Sequence, residues 1–355
     1  MSKKVVVGMS GGVDSSVAAA ILKNEGYDVT GITMQIWLAR ESSSFKTCCS
    51  IASIEEAKRV AEEIGIPHHT IDMRDIFIEK VIENFCNEYS SGRTPNPCIR
   101  CNQFVRFDTL LEKAKELGAE LIATGHYARI ERDRRQGRYL LKKGIDERKD
   151  QSYVLYVMTQ DHLSNTIFPL GSLRKEETRK IAEDLNLSVA TKPESQEICF
   201  IPEDDYSKFL STIMPEKISP GPIFDKTGTI LGKHQGLPFY TIGQRKGLGI
   251  AHRKPLYVIS IDIDRNALIV GEEEAGYSKE FLVKDLNWVA VDHLDEAQKV
   301  KVKLRSTMKE ADAVISLKNS YIYVKFDRPQ WAITPGQSAV FYEGDVVLGG
   351  GIISL

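Results

Sequence analysis

The sequence predicts an α/β domain built on a parallel sheet, followed by two small β-barrel-like domains. Three observations lead there. The first third alternates β-branched runs with helical periods, the pattern of parallel strands covered by helices on both faces. Val5-Val6-Val7 runs through a glycine-rich turn, Gly8-Met9-Ser10-Gly11-Gly12, into a helical stretch opening near Val13-Asp14-Ser15-Ser16. Beyond about residue 205, short alternating segments divided by turns replace the helical periods.

Composition bounds the reading. At 355 residues the chain holds two or three domains, and its 42% hydrophobic and 27% charged content fits a globular protein. No apolar run approaches the ~18 residues of a membrane span. Lys3 and Lys4 precede only a short strand, unlike a signal peptide, so a cytoplasmic location is expected. There, six cysteines point to reactive or metal-binding thiols rather than a disulfide framework. A net charge of −2 gives no global sign of nucleic acid, yet cations cluster locally. One cluster spans Arg129, Arg132, Arg134, Arg135, Arg138, Lys142, Lys143, Arg148 and Lys149, partly offset by Glu131, Asp133, Asp146 and Glu147. A second is Arg245, Lys246, His252, Arg253 and Lys254. Either is a polyanion-binding face or simply a solvated one.

In chain order, the first helix is expected to be capped by Asp14 or Ser15, to run through Val17, Ile21 and Leu22, and to stop at Gly26. Asp28–Met34 reads as a strand and Ser53–Ile64 as a helix opened by a Ser53/Glu56 capping box. His68–Ile71 is a third strand, followed by a helix over Ile76–Tyr89 with Ile78, Val81, Ile82 and Phe85 on its apolar side. A further helix is expected over Phe104–Leu117, then a strand at Leu121–Thr124 ending in Gly125-His126-Tyr127-Ala128. Arg129–Lys143 reads as a charged hairpin and Arg174–Leu185 as a helix. Pro215, Pro220, Gly221 and Pro222 mark a linker. Strands are then expected at Leu256–Ile263, Asn266–Val270, Val300–Arg305, Tyr321–Phe326, Ser338–Tyr342 and Val346–Ile353, with turns at Asp264-Arg265-Asn266 and Glu343-Gly344-Asp345. The division expected is 1–210, 211–274 and 275–355, the two β modules meeting near Gly271–Lys279.

The glycine turn carries the first chemical signal. Backbone N–H groups freed of side chains close around an anion, and the helix behind them adds its positive dipole end. The Lys-Ser/Thr ending of a Walker A loop is absent. Ser10-Gly11-Gly12-Val13-Asp14-Ser15 instead resembles the S-G-G-x-D-S loop of the PP-loop ATP pyrophosphatases, whose domain is adenine nucleotide alpha hydrolase-like. Gly8, Met34 and Gly125 fall at the carboxyl ends of expected strands, where one nucleotide can touch all three.

The cysteines carry the second signal. Cys98 and Cys101 lie in Gly92-Arg93-Thr94-Pro95-Asn96-Pro97-Cys98-Ile99-Arg100-Cys101-Asn102, just before an expected helix, where the helix start, Arg93 and Arg100 favour thiolate. Cys199 sits in Ser195-Gln196-Glu197-Ile198-Cys199-Phe200 at an expected loop-to-strand junction, Cys86 reads as a core thiol, and Cys48-Cys49 follow a serine-rich loop (Ser42–Ser44). A lone C-x-x-C is open to three readings: a redox pair, half a zinc site, or part of an iron–sulfur site.

Taken together, the pyrophosphate loop, Gly92–Asn102, Gly125–Ala128, Lys149-Asp150-Gln151-Ser152-Tyr153 and Ser195–Phe200 stand in the order seen in the tRNA-specific 2-thiouridylases, and the chain resembles that family over nearly its whole length. Gly236-Leu237-Pro238-Phe239-Tyr240-Thr241-Ile242-Gly243-Gln244-Arg245-Lys246-Gly247 and Gly349–Gly351 match it as well. The resemblance implies ATP-dependent 2-thiolation of the wobble uridine of tRNAs of the Lys, Glu and Gln type. It implies ATP binding by Gly8, Met9, Ser10, Gly11, Gly12, Val13, Asp14, Ser15, Met34 and Gly125, with Asp14 helping to hold Mg2+. Asn96, Pro97 and Cys98 would contact the target base, and Lys149, Asp150, Gln151, Arg305 and Ser306 the tRNA. Cys199 would carry a persulfide and Cys101 act as nucleophile, with sulfur delivered by a cysteine desulfurase or a sulfur-relay protein.

Two positions depart from the family pattern. Cys98 stands where many members carry Asp, so that Cys98, Cys101 and Cys199 form a candidate three-thiolate ligand set for a [4Fe-4S] cluster. Arg305-Ser306-Thr307 replaces a common Arg-Tyr-Arg, which implies a weaker tRNA grip by the last domain. His126 is either an acid–base group or a cap on its strand end. The rival readings are a PP-loop ligase acting on a small acid and an RNA-binding scaffold that retains nucleotide.

Overall fold

The computed structural model describes residues 2–36, 51–135, 137–193, 198–201 and 205–354. Its first sheet is parallel throughout. Strands β1 (Lys4–Gly8), β2 (Asp28–Gln35), β3 (His68–Asp72), β4 (Leu121–Ala123) and β7 (Thr166–Ile167) lie in the order β3-β2-β1-β4-β7. The order reverses between β1 and β4, so a crevice opens at the carboxyl ends of those two strands. Both faces are covered, as the unbroken Val5-Val6-Val7 run requires. Val6 packs with Phe107, Leu110 and Ile122, while Val5 and Val7 pack with Val17, Val29 and Val60 on the other side.

The helices depart from expectation at their starts. The first, α1 (Val13–Asn24), is capped by Gly12 rather than by Asp14 or Ser15, and the chain leaves it through Glu25 and Gly26, whose φ of +86° suits glycine. Ser53 lies inside the helix Ile51–Ile64, so no Ser53/Glu56 box opens it. The helix expected over Phe104–Leu117 spans residues 97–116, because Asn96 caps it and Pro97 occupies its first turn. It widens to π geometry over Cys101–Thr109, and the helix of residues 74–90 does so over Ile78–Ile82. Such π segments gather at functional sites.

The hairpin β5 (Ala128–Asp133) and β6 (Arg138–Lys143) belongs to the C-terminal sheet, not to the first domain's. There β12 (Tyr277–Trp288), β13 (Gln298–Lys303), β14 (Ala311–Lys318), β15 (Tyr321–Trp331), β16 (Ser338–Glu343) and β17 (Val346–Ser354) close into a barrel through the β12–β17 pairing. The hairpin joins β17 where Val346 pairs Lys142. Between the two domains, β8 (Gly221–Phe224), β9 (Ile230–His234), β10 (Tyr257–Asp262) and β11 (Ala267–Gly271) form a separate mixed sheet, ordered β10-β11-β8-β9. Gly221 and Pro222 are therefore strand residues rather than linker. A Cβ on Gly221 would lie 2.0 Å from the Asn266 carbonyl oxygen, and Pro222 is tolerated near the start of its strand.

The first domain docks on the barrel through Ser152–Leu155 and the residues after it. Tyr153 Oη donates to the Ser338 (2.9 Å) and Leu304 (3.2 Å) carbonyls, and Tyr156 Oη lies 3.0 Å from Ser338 Oγ. Asn287 donates to the Tyr156 carbonyl at 2.6 Å. The core around Phe107 runs on without a break into Val340, Tyr342 and Val347 of the barrel. Tyr153→Phe keeps the ring but leaves the two buried carbonyls without its hydroxyl. Urea unfolding followed by intrinsic fluorescence should show a loss of about 1–3 kcal/mol, and an unchanged midpoint would remove that hydroxyl from the docking.

Candidate active site: the nucleotide loop and the cysteine cluster

The loop between β1 and α1 is braced from within. Ser15 Oγ accepts from Ser10 N at 3.1 Å and donates to the Gly12 carbonyl at 3.2 Å, while Ser16 Oγ donates to the same carbonyl at 2.8 Å. No side chain caps α1, so its first turn is arranged for an anion to take that place. Met9 is clamped to β2: its N–H donates to the Ile32 carbonyl at 2.7 Å and its own carbonyl accepts from Thr33 Oγ1 at 2.9 Å. Thr33 Oγ1 also meets His68 Nε2 at 2.8 Å. Since that hydroxyl donates to Met9, His68 must donate through Nε2. Burial first, then His69 and Lys58, lowers the His68 pKa and favours the neutral ring, whose proton then sits on Nε2.

Two glycines let separate segments close on this loop. Gly11 has φ +68°, and a Cβ there would stand 2.5 Å from the Ser53 carbonyl oxygen. A Cβ on Gly125 would lie 2.7 Å from both Asp14 C and Ser15 N. The β4 end therefore rests directly on the start of α1. Gly8, the loop and Gly125 meet at the switch point, and Met34 lies toward the end of the adjacent strand β2.

Asp14 has partners that sequence reasoning did not supply. Its Oδ1 accepts from Lys175 Nζ at 2.6 Å and from Tyr127 Oη at 2.8 Å. Lys192 Nζ donates to the Gly11 carbonyl at 2.8 Å and pairs with Glu56. Tyr127 falls within a recognised motif, but Lys175 stands in Arg174-Lys175-Glu176-Glu177, which reads as a solvated helix start. Nothing in the sequence marks it. By chemistry, one carboxylate beside phosphate oxygens fits the donor set of magnesium, although here that carboxylate is already charge-paired.

Cys98 is exposed at the second position of the helix 97–116, and Cys101, one turn on, is buried. Both lie on the helix rather than in a loop ahead of it. Asn96 Oδ1 accepts from Cys98 N at 3.1 Å, which makes Asn96 a helix cap. Arg93, expected to favour a thiolate, is held by both Glu88 oxygens at 2.7 Å, and Arg100 lies over the Phe104 ring. Cys101 belongs to an apolar cluster with Phe77, Phe85, Val105 and Phe200, and half-buried Cys199 and Met34 pack against it. Cys86 packs there too, its thiol pushed up to about 11 by burial and by Glu216 and Glu83. Cys48, Cys49 and the Glu194–Glu197 part of the Cys199 motif lie outside the described residues. Among the described residues no group of three or more Cys, His, Asp or Glu is gathered as metal ligands.

The other expected residues are largely engaged within the fold. Asp150 accepts from Gly144 N, Ser152 N and Ser152 Oγ at 2.9–3.1 Å. Gln151 exchanges two 2.9 Å bonds with the Tyr127 main chain, and Lys149 is half-buried. Arg305 Nη2 donates to Thr334 Oγ1 (2.9 Å) and the Ala332 carbonyl (3.2 Å), whereas Ser306 is exposed. Much of the hairpin's positive charge is neutralised inside the barrel domain: Arg129 and Lys142 by Asp345 and Glu131, Arg138 by Asp292, and Lys143 by Glu310. Arg132, Arg134 and Arg135 remain exposed near its turn.

His126 is buried, bonded through Nδ1 to Thr124 Oγ1 at 2.7 Å, and flanked by Phe107 and Phe168. Burial, reinforced by Arg106, lowers its pKa to about 3. Because folding depresses this pKa, the ring's contribution to stability is complete above its unfolded value near 6.5 and is lost as pH falls toward 3. Urea unfolding at intervals from pH 7 to pH 4 should show stability falling by up to about 1.4 kcal/mol per pH unit from this group. His126→Phe should flatten that slope, and an unchanged slope would mean the folded ring accepts its proton normally.

Comparison with known proteins agrees along the whole chain. Residues 3–203 match a family described as tRNA methyl transferase HUP domain, residues 207–272 a tRNA methyl transferase PRC-barrel domain, and residues 278–353 an aminomethyltransferase beta-barrel domain. The tRNA-specific 2-thiouridylase MnmA 2 of Thermoanaerobacter sp. (strain X514) is 52% identical over 357 residues, covering 99% of this chain and 98% of that protein. MnmA of Acetivibrio thermocellus is 52% identical over 355 residues, with 99% of each chain covered. MnmA of Heliobacterium modesticaldum is 52% identical over 357 residues, covering 99% of this chain and 93% of that protein. With the nucleotide loop, the two-cysteine cluster and both β domains all inside those alignments, the chain belongs to the family of tRNA-specific 2-thiouridylases.

Proposed function

We propose that this protein uses ATP to replace the carbon-2 oxygen of the wobble uridine of tRNA with sulfur. One observation carries the reading. Met34, at the nucleotide end of β2, packs against the apolar cluster that holds Cys101 and against which Cys199 packs as well, so activation and sulfur delivery share one wall. The uridine oxygen attacks the α-phosphorus of ATP: an O–P bond forms, the bond to the β-phosphate oxygen breaks, and pyrophosphate leaves. Carbon 2 then carries adenylate, a good leaving group in place of an inert carbonyl oxygen. Sulfur attacks carbon 2, and AMP departs with the oxygen.

The sulfur arrives as a persulfide on Cys199, supplied by a cysteine desulfurase or a relay protein. Either Cys101 attacks the Cys199 Sγ and frees the outer sulfur as hydrosulfide, which then attacks carbon 2, or the outer persulfide sulfur attacks carbon 2 directly. In the second case AMP leaves, and Cys101 attacks Cys199 Sγ to break its bond to the transferred sulfur. Both routes leave a Cys101–Cys199 disulfide, which a thiol reductant must reopen. The loop Gly8–Ser15, with Met34 and Gly125, binds ATP. Asp14 is the carboxylate offered to the accompanying magnesium, which would neutralise phosphate charge. Asn96, Pro97 and Cys98 receive the base, which must leave its stack to reach them. The exposed Arg132, Arg134 and Arg135, with Lys149, Asp150, Gln151, Arg305 and Ser306, face the tRNA. The division 1–210, 211–274 and 275–355 assigns the chemistry to the first part, and the reaction belongs in the cytoplasm.

Two family descriptions name methyl transfer. A loop shaped for pyrophosphate and two thiols on one apolar cluster suit activation and sulfur delivery better. The iron–sulfur alternative finds no assembled donor set among the described residues. Unmodified tRNA incubated with the protein, ATP, magnesium and a sulfide source, then digested for mass spectrometry, should gain sulfur at the first anticodon position. Cys199→Ser should abolish the gain when sulfur comes from a desulfurase, with tRNA binding retained. A protein that releases pyrophosphate equally well without tRNA would point to a ligase acting on a small acid.

A further inference from the structure

Two chains of contacts leave the Asp14 carboxylate and end on the same segment of the first domain. Along one, Tyr127 Oη donates to Asp14 Oδ1 at 2.8 Å, and the Tyr127 main chain exchanges two bonds with Gln151, each 2.9 Å. Along the other, Lys175 Nζ donates to Asp14 Oδ1 at 2.6 Å while its backbone N–H donates to Asp146 Oδ2 at 3.1 Å. Asp146 in turn accepts from Arg148 N through its side chain at 3.1 Å and from Lys149 N through its carbonyl at 2.9 Å. Tyr127, Lys175 and Asp146 are all buried, at 3%, 8% and 3% exposure. Neither path is a flexible surface pair, since both run through packed interior from residues 146–151 to the first turn of α1.

This arrangement has a physical consequence. A carboxylate in the first turn of an anion-binding helix repels the phosphates that belong there unless a cation shares its field. Lys175 supplies that cation, and Tyr127 fixes the same oxygen from a second direction. Both are anchored through the segment that, on the function proposed above, meets tRNA. Any shift of residues 146–151 on RNA engagement therefore changes how Asp14 and its countercharge face the nucleotide.

Resting on that proposed function, we propose that Tyr127 and Lys175 are positioning residues that couple the two substrate sites: RNA held at residues 149–151 strengthens nucleotide binding in the loop, and nucleotide strengthens RNA binding in return. Linkage makes the effect reciprocal.

The test uses ligands that bind without reacting. Affinity for α,β-methylene-ATP, whose α–β bridge cannot be split, is measured with and without a tRNA transcript carrying cytidine at the wobble position. In the wild-type protein the RNA should tighten analogue binding about tenfold. Tyr127→Phe keeps the ring and removes the bond to Asp14; Lys175→Met keeps most of the volume and removes the charge. Each should cut the tightening to about twofold or less, with transcript affinity in the absence of nucleotide unchanged, and Lys175→Arg should restore part of it. Full tightening in both variants, or wild-type binding of both ligands with no mutual effect, overturns the coupling and leaves the function standing. Wild-type failure to bind either ligand overturns the function itself. Should Lys175→Met prove unfolded by circular dichroism, Tyr127→Phe decides alone.

Discussion

The structure depends on keeping a negative charge, Asp14, at the mouth of a site built to receive more negative charge. The helix that starts there offers uncapped N–H groups and a positive dipole end, and Asp14 in its first turn, itself favoured by that dipole, offsets their pull on phosphate. The fold answers with Lys175, brought from a helix far along the chain to within 2.6 Å and buried. Holding that helix in place takes Asp146, which accepts the backbone N–H of Lys175. A second lysine, Lys192, grips the Gly11 carbonyl. The loop is thus set by three segments that follow it in sequence by more than a hundred residues, not by its own glycines alone.

A comparable constraint shapes the approach to the cysteines. Residues 92–98 run between all three domains. Glu88 holds Arg93 on both oxygens, Thr94 N donates to the Pro335 carbonyl at 2.9 Å, and Gln337 donates to the carbonyls of Thr94 and Pro95. Thr94 Oγ1 meets Thr241 of the central domain at 3.2 Å. Gly336 is required for this clasp, since its φ is +89° and a Cβ would lie 2.9 Å from Thr94 N. The β domains therefore help build the first domain's candidate site: they hold the strap from which Asn96 and Pro97 launch the helix bearing Cys98 and Cys101.

What could be read from the sequence follows from how local each signal is. The parallel sheet was legible because Val5–Val7 and its successors alternate with helical periods, and the nucleotide loop because its glycines lie together. The start of the helix of residues 97–116 is hidden in the sequence, since Pro95 and Pro97 look like loop until Asn96 is seen as a cap. β12 and β14 escaped notice: β12 carries two register shifts and a positive φ at Asp285, which break its alternation, and β14 is rich in small and polar residues. Gly221-Pro222 imitates a linker because the strand β8 is only four residues long. Lys175 and Lys192 were illegible for a different reason. Each is one lysine among 47 basic residues, and only the tertiary fold distinguishes a buried countercharge from a solvated one.

The two cysteines of the C-x-x-C divide their surroundings in a way the spacing alone does not reveal. One helical turn separates exposed Cys98 from buried Cys101, so the same helix presents one thiol to whatever enters the site and keeps the other on the aromatic cluster with Cys199. Phe77, Phe85 and Phe200 stack edge to face around that second position. An apolar wall raises the cost of a free thiolate, yet it also keeps water from an activated intermediate that water would destroy. On the function proposed above, sulfur transfer to an adenylate gains from the second property what it loses by the first. A covalently carried sulfur spends no entropy on finding its target and has no hydration shell to shed. The helix widens to π geometry from Cys101 onward, so the departure from regular hydrogen bonding begins at the buried thiol.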